Sequence, residues 1–278
     1  MAIQILADSC CDLNEKIKEK YNIQIVPLKI FVNDKEFVDD ENLNKEELID
    51  SMRNDNDSPK TASPSPQLFI EKYKEAEESF VVTLSSKLSG TYQNANLAKS
   101  MIMEELNDKF IHVFDSLSAS AGETIISIKI GELVEKGLEK NNIIEKVDNY
   151  INEMKTMFVL DSLDNLIKAG RMSKVKGKLA SFFNIKPILG SDGKGEIQLL
   201  DKARGSKRVF KKLVQLIGEK GENLEEKIIG IAHCNALDKA ENLKKQIEKK
   251  YNFKDIVIVE TAGISTVYAN EGGIVIAF

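Results

Sequence analysis

Nine consecutive residues, Ser85-Ser86-Lys87-Leu88-Ser89-Gly90-Thr91-Tyr92-Gln93, hold four hydroxyl side chains besides the Tyr92 phenol, and one glycine. Residues of these types can hold an anion without a dedicated cation. Each hydroxyl donates one hydrogen bond. The N–H groups at a helix start are unpaired and lie at the positive end of its dipole. Gly90 lets a ligand approach the backbone closely, and Ser89 can cap the helix that follows. Asp8-Ser9, Thr61-Ala62-Ser63-Pro64-Ser65 and Asp115-Ser116 repeat the small-hydroxyl theme elsewhere. Ser9, Ser63, Ser86 and Ser116 are therefore candidates to line the same site.

Other chemistries find fewer parts. There is no G-x-S-x-G elbow, no G-x-x-x-x-G-K-[ST] loop and no G-x-G-x-x-G after a strand. Gly190, Gly193 and Gly195 lie between two strand-like runs and read as a turn. No His/Asp/Glu cluster and no C-x-x-C pair suggests a metal, so no cofactor is expected. The two histidines, His112 and His233, sit in apolar strand-like segments. Binding is therefore favoured over turnover. The alternative is a small hydrolase or transferase with Ser89 or Ser86 as nucleophile and His233 or Tyr268 as base. A sugar- or phosphate-binding domain could use the same cradle.

The elements that would position these residues alternate in the first half. Strands are expected over 3–6, 80–84 and Phe110–Asp115, with an extended run over 25–32. Helices are expected over 13–21, 44–52 (capped by Asn44), 67–78, 94–106, 118–139 and 142–154, and a polar loop over 53–60. This alternation argues for a mainly parallel sheet flanked by helices. Such a sheet gathers its strand-to-helix junctions at one edge. The second half reads differently. Strands over 157–161, 185–189, 195–200, 227–233, Asp255–Glu260 and 272–278 surround helices over 162–169, 173–182, Ser206–Lys220 and 236–250. Asp192-Gly193 marks a hairpin turn. The fold class is α/β, with two α/β domains, 1–157 and 158–278, the second built on a mixed sheet.

The 278 residues, 42% hydrophobic and 30% charged, are those of a soluble globular chain. No stretch approaches the roughly 18 apolar residues of a membrane span, and 3–6 is too short for a signal peptide. Three cysteines, two of them adjacent, suit a reducing cytoplasm. The net charge of −5 hides a basic segment: residues 165–212 carry 13 Lys and Arg against three acids. One basic segment on an acidic chain points to an anionic partner rather than to nucleic acid.

The chain resembles the DegV family of bacterial fatty-acid-binding proteins. The resemblance runs through Ala7-Asp8-Ser9-Cys10-Cys11-Asp12-Leu13, Thr61-Ala62-Ser63-Pro64-Ser65, residues 84–93, residues 161–171 with Lys186-Pro187-Ile188-Leu189, and the Gly-rich end. It implies a carrier, not an enzyme. A long-chain fatty acid would be bound non-covalently between the two domains, with its carboxylate on Thr61 and the Ser89-Gly90 loop and its acyl chain enclosed by residues 158–278. It also implies an ATP-dependent fatty acid kinase as partner, serving phospholipid synthesis, with Arg171 and Arg204 matching positions associated with that interaction. Contact with a membrane surface would be transient at most. Ala62 and Ser63 replace the family's Ser and Gln. Tyr268 stands where many members place a carboxylate-binding histidine. A phenol donates a hydrogen bond but carries no positive charge, and Glu271 close by would oppose an anion if it pointed inward.

Overall fold

The computed structural model describes residues 3–54, 58–106, 108–175 and 185–278. Most of the basic helix expected over 173–182 lies outside the described residues. The chain opens with β1 (Gln4–Asp8), buried throughout, then α1 (Glu15–Lys20) and β2 (Ile23–Val26). Asn14 caps α1 by accepting the Ile17 N–H at 2.9 Å. Pro27 follows β2 and has no N–H to extend the ladder. The backbone restarts as β3 (Lys29–Val32), in a different sheet. The single extended run expected over 25–32 is therefore two strands. β3 pairs antiparallel with β4 (Lys35–Val38) and, after α2 (Lys45–Arg53), with β5 (Lys60–Ala62). The sequence hid β4 and β5 because Lys35, Glu36 and Lys60 give them polar edges.

α3 (Pro66–Lys74) begins on a proline, with Ser65 as its cap. β6 (Glu78–Thr83), α4 (Thr91–Glu105), β7 (Phe110–Asp115), α5 (Ala121–Glu135) and α6 (Lys140–Glu153) complete the first half. Strands in the order β2-β1-β6-β7 form an all-parallel sheet. The second half runs β8 (Thr156–Val159), α7 (Asp164–Lys168), β9 (Ile185–Ser191), β10 (Ile197–Arg204), α8 (Ser206–Lys220), β11 (Ile228–His233), α9 (Leu237–Glu248), β12 (Asp255–Glu260), α10 (Gly263–Ala269) and β13 (Ile274–Ala277). Its sheet, β10-β9-β8-β13-β11-β12, is mixed, with β11 and β12 its parallel pair. A parallel sheet with helices, joined to a separate mixed sheet, is the α/β architecture the alternation predicted.

α5 joins the two sheets. It is apolar on nearly every face and buries Ala121 through Ile128 without a break, the pattern of a helix covered all round. One side packs on β1 and β6 and the other on β11 and β13, in one core that includes Ile5, Phe80, Ile125, Ala232 and Val275. It is shorter than the 118–139 expected, because residues 116–120 form a separate loop.

Candidate functional site

A cavity lies between the loops that leave the first sheet, the second sheet and α10. The loops after β6 and β7 supply Leu84, Leu88, Leu117, Ser118, Ala119 and Ser120. The second sheet supplies Thr156, Phe158, Gly190, Ser191, Ile197 and Val275, and α10 supplies Ile264, Ser265, Tyr268 and Ala269. The cavity volume is about 110 Å³, and the wall is almost wholly apolar. The hydroxyls in that wall explain how it stays apolar. Ser118 and Thr156 bond each other at 2.6 Å. Ser191 donates to the Leu117 carbonyl at 3.0 Å, Ser265 to the Cys10 carbonyl at 3.4 Å, and Ser120 to the Asp12 carboxylate. Each polar atom is used by the protein, so methylenes and methyls face the space.

A second set of polar groups is centred on Tyr268. β5 pairs Thr61 with Ile30, and the Thr61 hydroxyl lies 2.8 Å from the Tyr268 hydroxyl on α10. The Arg171 guanidinium lies 5.8 Å from the Tyr268 ring centroid. Its Nε donates to the Leu88 carbonyl at 3.1 Å and its Nη1 to the Ala169 carbonyl at 2.7 Å. Arg171 thus ties the hydroxyl loop to the segment after α7, at the cavity's edge. Ser89 Oγ accepts the Thr91 N–H at 3.3 Å and lies 2.9 Å from Thr91 Oγ1. It serves the start of α4 from one position before the Gly90 cap. Ser63 accepts from Asn94 Nδ2 at 3.1 Å, and a Cβ at Gly90 would stand 3.6 Å from the Ser63 hydroxyl. Thr61 with Tyr268, and Ser63 with Gly90, Ser89 and the start of α4, therefore form two adjoining groups.

The remaining expected residues have other partners. Ser9 Oγ accepts the Leu28 N–H at 3.0 Å. Ser116 donates to the Ser118 carbonyl and shapes the loop after β7. The Ser86 N–H is held by Asp115 at 3.0 Å. Arg204 is exposed at the end of β10. Glu271 does not point inward: it pairs with Arg53 at 2.6 Å, which holds its carboxyl below the usual range. His112 packs edge-on against Phe114, and burial lowers its pKa to about 4. His233 Nδ1 accepts the Ala236 N–H, and its pKa too is lowered by burial.

Sequence reasoning missed the inner wall. The expected helix over 118–139 takes in Ser118 and Ser120, and no local pattern marks α10, because six of its seven residues are buried and it has no polar face to read. A turn joins the halves beside the cavity. Gly195, at φ +88°, accepts the Ser85 hydroxyl on its carbonyl at 2.8 Å, and a Cβ there would stand 2.1 Å from that hydroxyl. Behind the wall lie buried acids. Asp8 accepts the Leu84 and Cys10 N–H groups at 2.7 and 2.9 Å, joining the ends of β1 and β6, and burial pushes its pKa up to about 7. Glu123 is fully buried near Asp8 and Cys10. Among the described residues neither of its oxygens has a hydrogen-bond partner, and burial followed by the Asp8 charge raises its pKa well above the carboxylate range.

Comparison with known proteins gives concordant results. The family model described as "Uncharacterised protein, DegV family" matches residues 2–278. A DegV domain-containing protein of Streptococcus pneumoniae is 34% identical over 284 residues, covering 100% of this chain and 99% of that protein. A crystal structure of a DegV-family protein from Ruminococcus gnavus, refined with vaccenic acid, superposes with a TM-score of 0.96 at 39% identity, covering 99% of each chain. The S. pneumoniae fatty acid kinase (Fak) B3 protein loaded with linoleic acid superposes with a TM-score of 0.91 at 32% identity, covering 100% of this chain and 99% of that one.

Proposed function

This chain belongs to the DegV family, and from that premise we propose that it binds a long-chain fatty acid non-covalently and presents the carboxylate to a fatty acid kinase. The observation that carries the reading is an apolar cavity with Tyr268 and Arg171 in its wall, the Tyr268 hydroxyl lying 2.8 Å from that of Thr61. An acyl chain fits the wall and a carboxylate fits these polar groups. Each buried CH₂ contributes about 0.8 kcal/mol, so a long chain supplies on the order of 10 kcal/mol before ordering costs. The hydroxyl groups then set where the carboxylate stands.

The kinase partner is inferred from the B3 protein's name together with this chain's exposed Arg204. The cytoplasm is the compartment that fits three free, buried thiols. The hydrolase reading needs a base beside Ser86 or Ser89. Both imidazoles are committed elsewhere, and Tyr268 faces Thr61.

Native mass spectrometry of the purified protein tests the proposal. A non-covalent adduct of fatty-acid mass, lost on denaturation, is the expected result. Protein that is ligand-free and also fails to take up added oleate or palmitate would refute it. Stoichiometric labelling of Ser89 or Ser86 by a fluorophosphonate would favour the hydrolase instead.

A further inference from the structure

The start of α10, the helix that carries Ser265 and Tyr268 into the cavity wall, is held by residues more than two hundred positions away in sequence. Asp39, just after β4, accepts the Gly263 N–H at 2.7 Å on one oxygen and the Ile264 N–H at 2.8 Å on the other. Asp12, in the loop after β1, accepts the Ala262 N–H at 2.7 Å on one oxygen and the Ser120 hydroxyl on the other. Position 263 admits no side chain, since a Cβ there would lie 2.5 Å from Asp39 Oδ1. Ser120 has φ +58° and ψ −126°, a conformation that side-chain-bearing residues rarely adopt. Asp12 thus grips two walls of the cavity at once. Both carboxyls are buried, and desolvation raises them, Asp39 to about 6 and Asp12 to about 7.

Three consecutive N–H groups bound by two buried carboxylates are more than a seven-residue helix needs to form. They fix its place: from Gly263 the chain reaches Tyr268 in less than two turns, and Tyr268 meets Thr61. We propose that Asp12 and Asp39 are positioning residues of the carboxylate end, clamping α10 so that Tyr268 and Thr61 stand together beside the cavity. The idea rests on the proposed function for its consequence in ligand binding, but the geometry has its own readout.

A double-mutant cycle tests it. Asp39→Asn keeps the shape but turns an NH₂ toward one of the two N–H groups it now accepts. Oleate affinity of the full chain, stripped of lipid, is measured by displacement of a fluorescent fatty acid for the parent, Asp39→Asn, Tyr268→Phe and the double variant. The expected loss for Asp39→Asn is about 3- to 10-fold in the parent, no larger than that for Tyr268→Phe, through which it acts, and under about twofold in the Tyr268→Phe background. Equal losses in both backgrounds, or no loss in the parent, would overturn the proposal. The same cycle on urea unfolding of lipid-free protein, pairing Asp39→Asn with Thr61→Val, reads the clamp without ligand. Non-additive effects support it and additive ones refute it. Asp12→Asn replaces Asp39→Asn if the latter does not fold. A parent that takes up no oleate sinks the proposed function, and the unfolding cycle still decides the clamp.

Discussion

Thr61→Val replaces a hydroxyl by a methyl of nearly the same volume and leaves the apolar cavity intact. In the ligand-free protein it removes the 2.8 Å contact with the Tyr268 hydroxyl. Both residues are only half-buried, so water can take over as the partner. The net loss should stay near the usual ~0.5–1.5 kcal/mol of one hydrogen bond, which lowers Tm by roughly 1–6 °C for a chain of this size. The bound state loses more. A carboxylate oxygen enclosed by protein and deprived of its donor costs about 1–3 kcal/mol, a rise in Kd of roughly 5- to 150-fold. Binding should nevertheless persist, because the on-the-order-of 10 kcal/mol from the acyl chain is untouched. The assay is displacement of a fluorescent fatty acid by oleate from lipid-stripped protein, with Tm measured alongside and Ser89→Ala treated in parallel. Affinity within twofold of the parent in both variants would refute the placement of the head group. Loss of binding together with a Tm drop well beyond 10 °C would mean that Thr61 acts through the fold.

Tyr268→Phe should cost about 0.5–1.5 kcal/mol in fatty-acid affinity, whereas Tyr268→His should restore it and add a pH dependence near ~6.5; titrations between pH 5.5 and 8 separate the two, and wild-type affinity for the phenylalanine variant would reduce Tyr268 to packing. Lipid-free protein should be more stable at pH 5.5 than at 7.5 by on the order of 2 kcal/mol, read by urea unfolding. The sign follows from Asp8 and Asp12, raised to about 7, and Asp39, raised to about 6: the folded state holds protons that the unfolded state releases above about pH 4, so stability falls as pH rises toward 7. His112 and His233, pushed down, oppose this below about 6.5 but are outnumbered by the three acids, with Glu123 acting in the acids' sense, and a protein more stable at pH 7.5 would refute the buried-acid argument. Arg204→Ala should leave fatty-acid content unchanged while slowing acyl phosphate formation by the kinase, most at low salt; Arg171→Ala should also disturb binding, since Arg171 holds the Leu88 carbonyl at the cavity's edge. Turnover by Arg204→Ala equal to the parent across salt concentrations would return that residue to ordinary surface.

The order of elements was legible because most of them carry their own local signal. The helix over Ser206–Lys220 and the strand over Phe110–Asp115 were read to the residue, from a helical apolar stripe and a short apolar run bounded by turns. Where the signal failed, a tertiary cause is visible. Pro27 splits one extended run between two sheets, a pairing no local pattern encodes. Lys35–Val38 and Lys60–Ala62 are strands because β3 lies between them, not because their residues favour strand. For the site, Thr61 and the hydroxyl loop were readable as residue types at junctions. The contact of Thr61 with Tyr268 spans 207 positions and had no sequence trace beyond the family resemblance. The inner wall was unreadable for a different reason. Leu84, Phe158 and Val275 look like core residues, and whether the space between them is filled depends on the spacing of two sheets.

The two parts of the site answer to different forces. Retention scales with apolar area and is set by the wall, where every hydroxyl is already satisfied by the protein and adds little to affinity. On the proposed function, presentation would be set by the few donors around Tyr268, each able to shift binding by a factor of ten or so without abolishing it. A carrier benefits from that separation. The carboxylate must be held firmly enough to meet a partner in one orientation, yet its donors must be exchangeable when the partner's chemistry begins. Hydroxyls suit this better than a buried ion pair, since a lone charge left behind in a dry site is expensive. Here the guanidinium of Arg171 stands at the edge, already bonded to two carbonyls, and the phenol and threonine hydroxyls stand closest together. Variants of the wall should therefore change which acyl chains are kept, and variants of the carboxylate end should change how fast they are handed on.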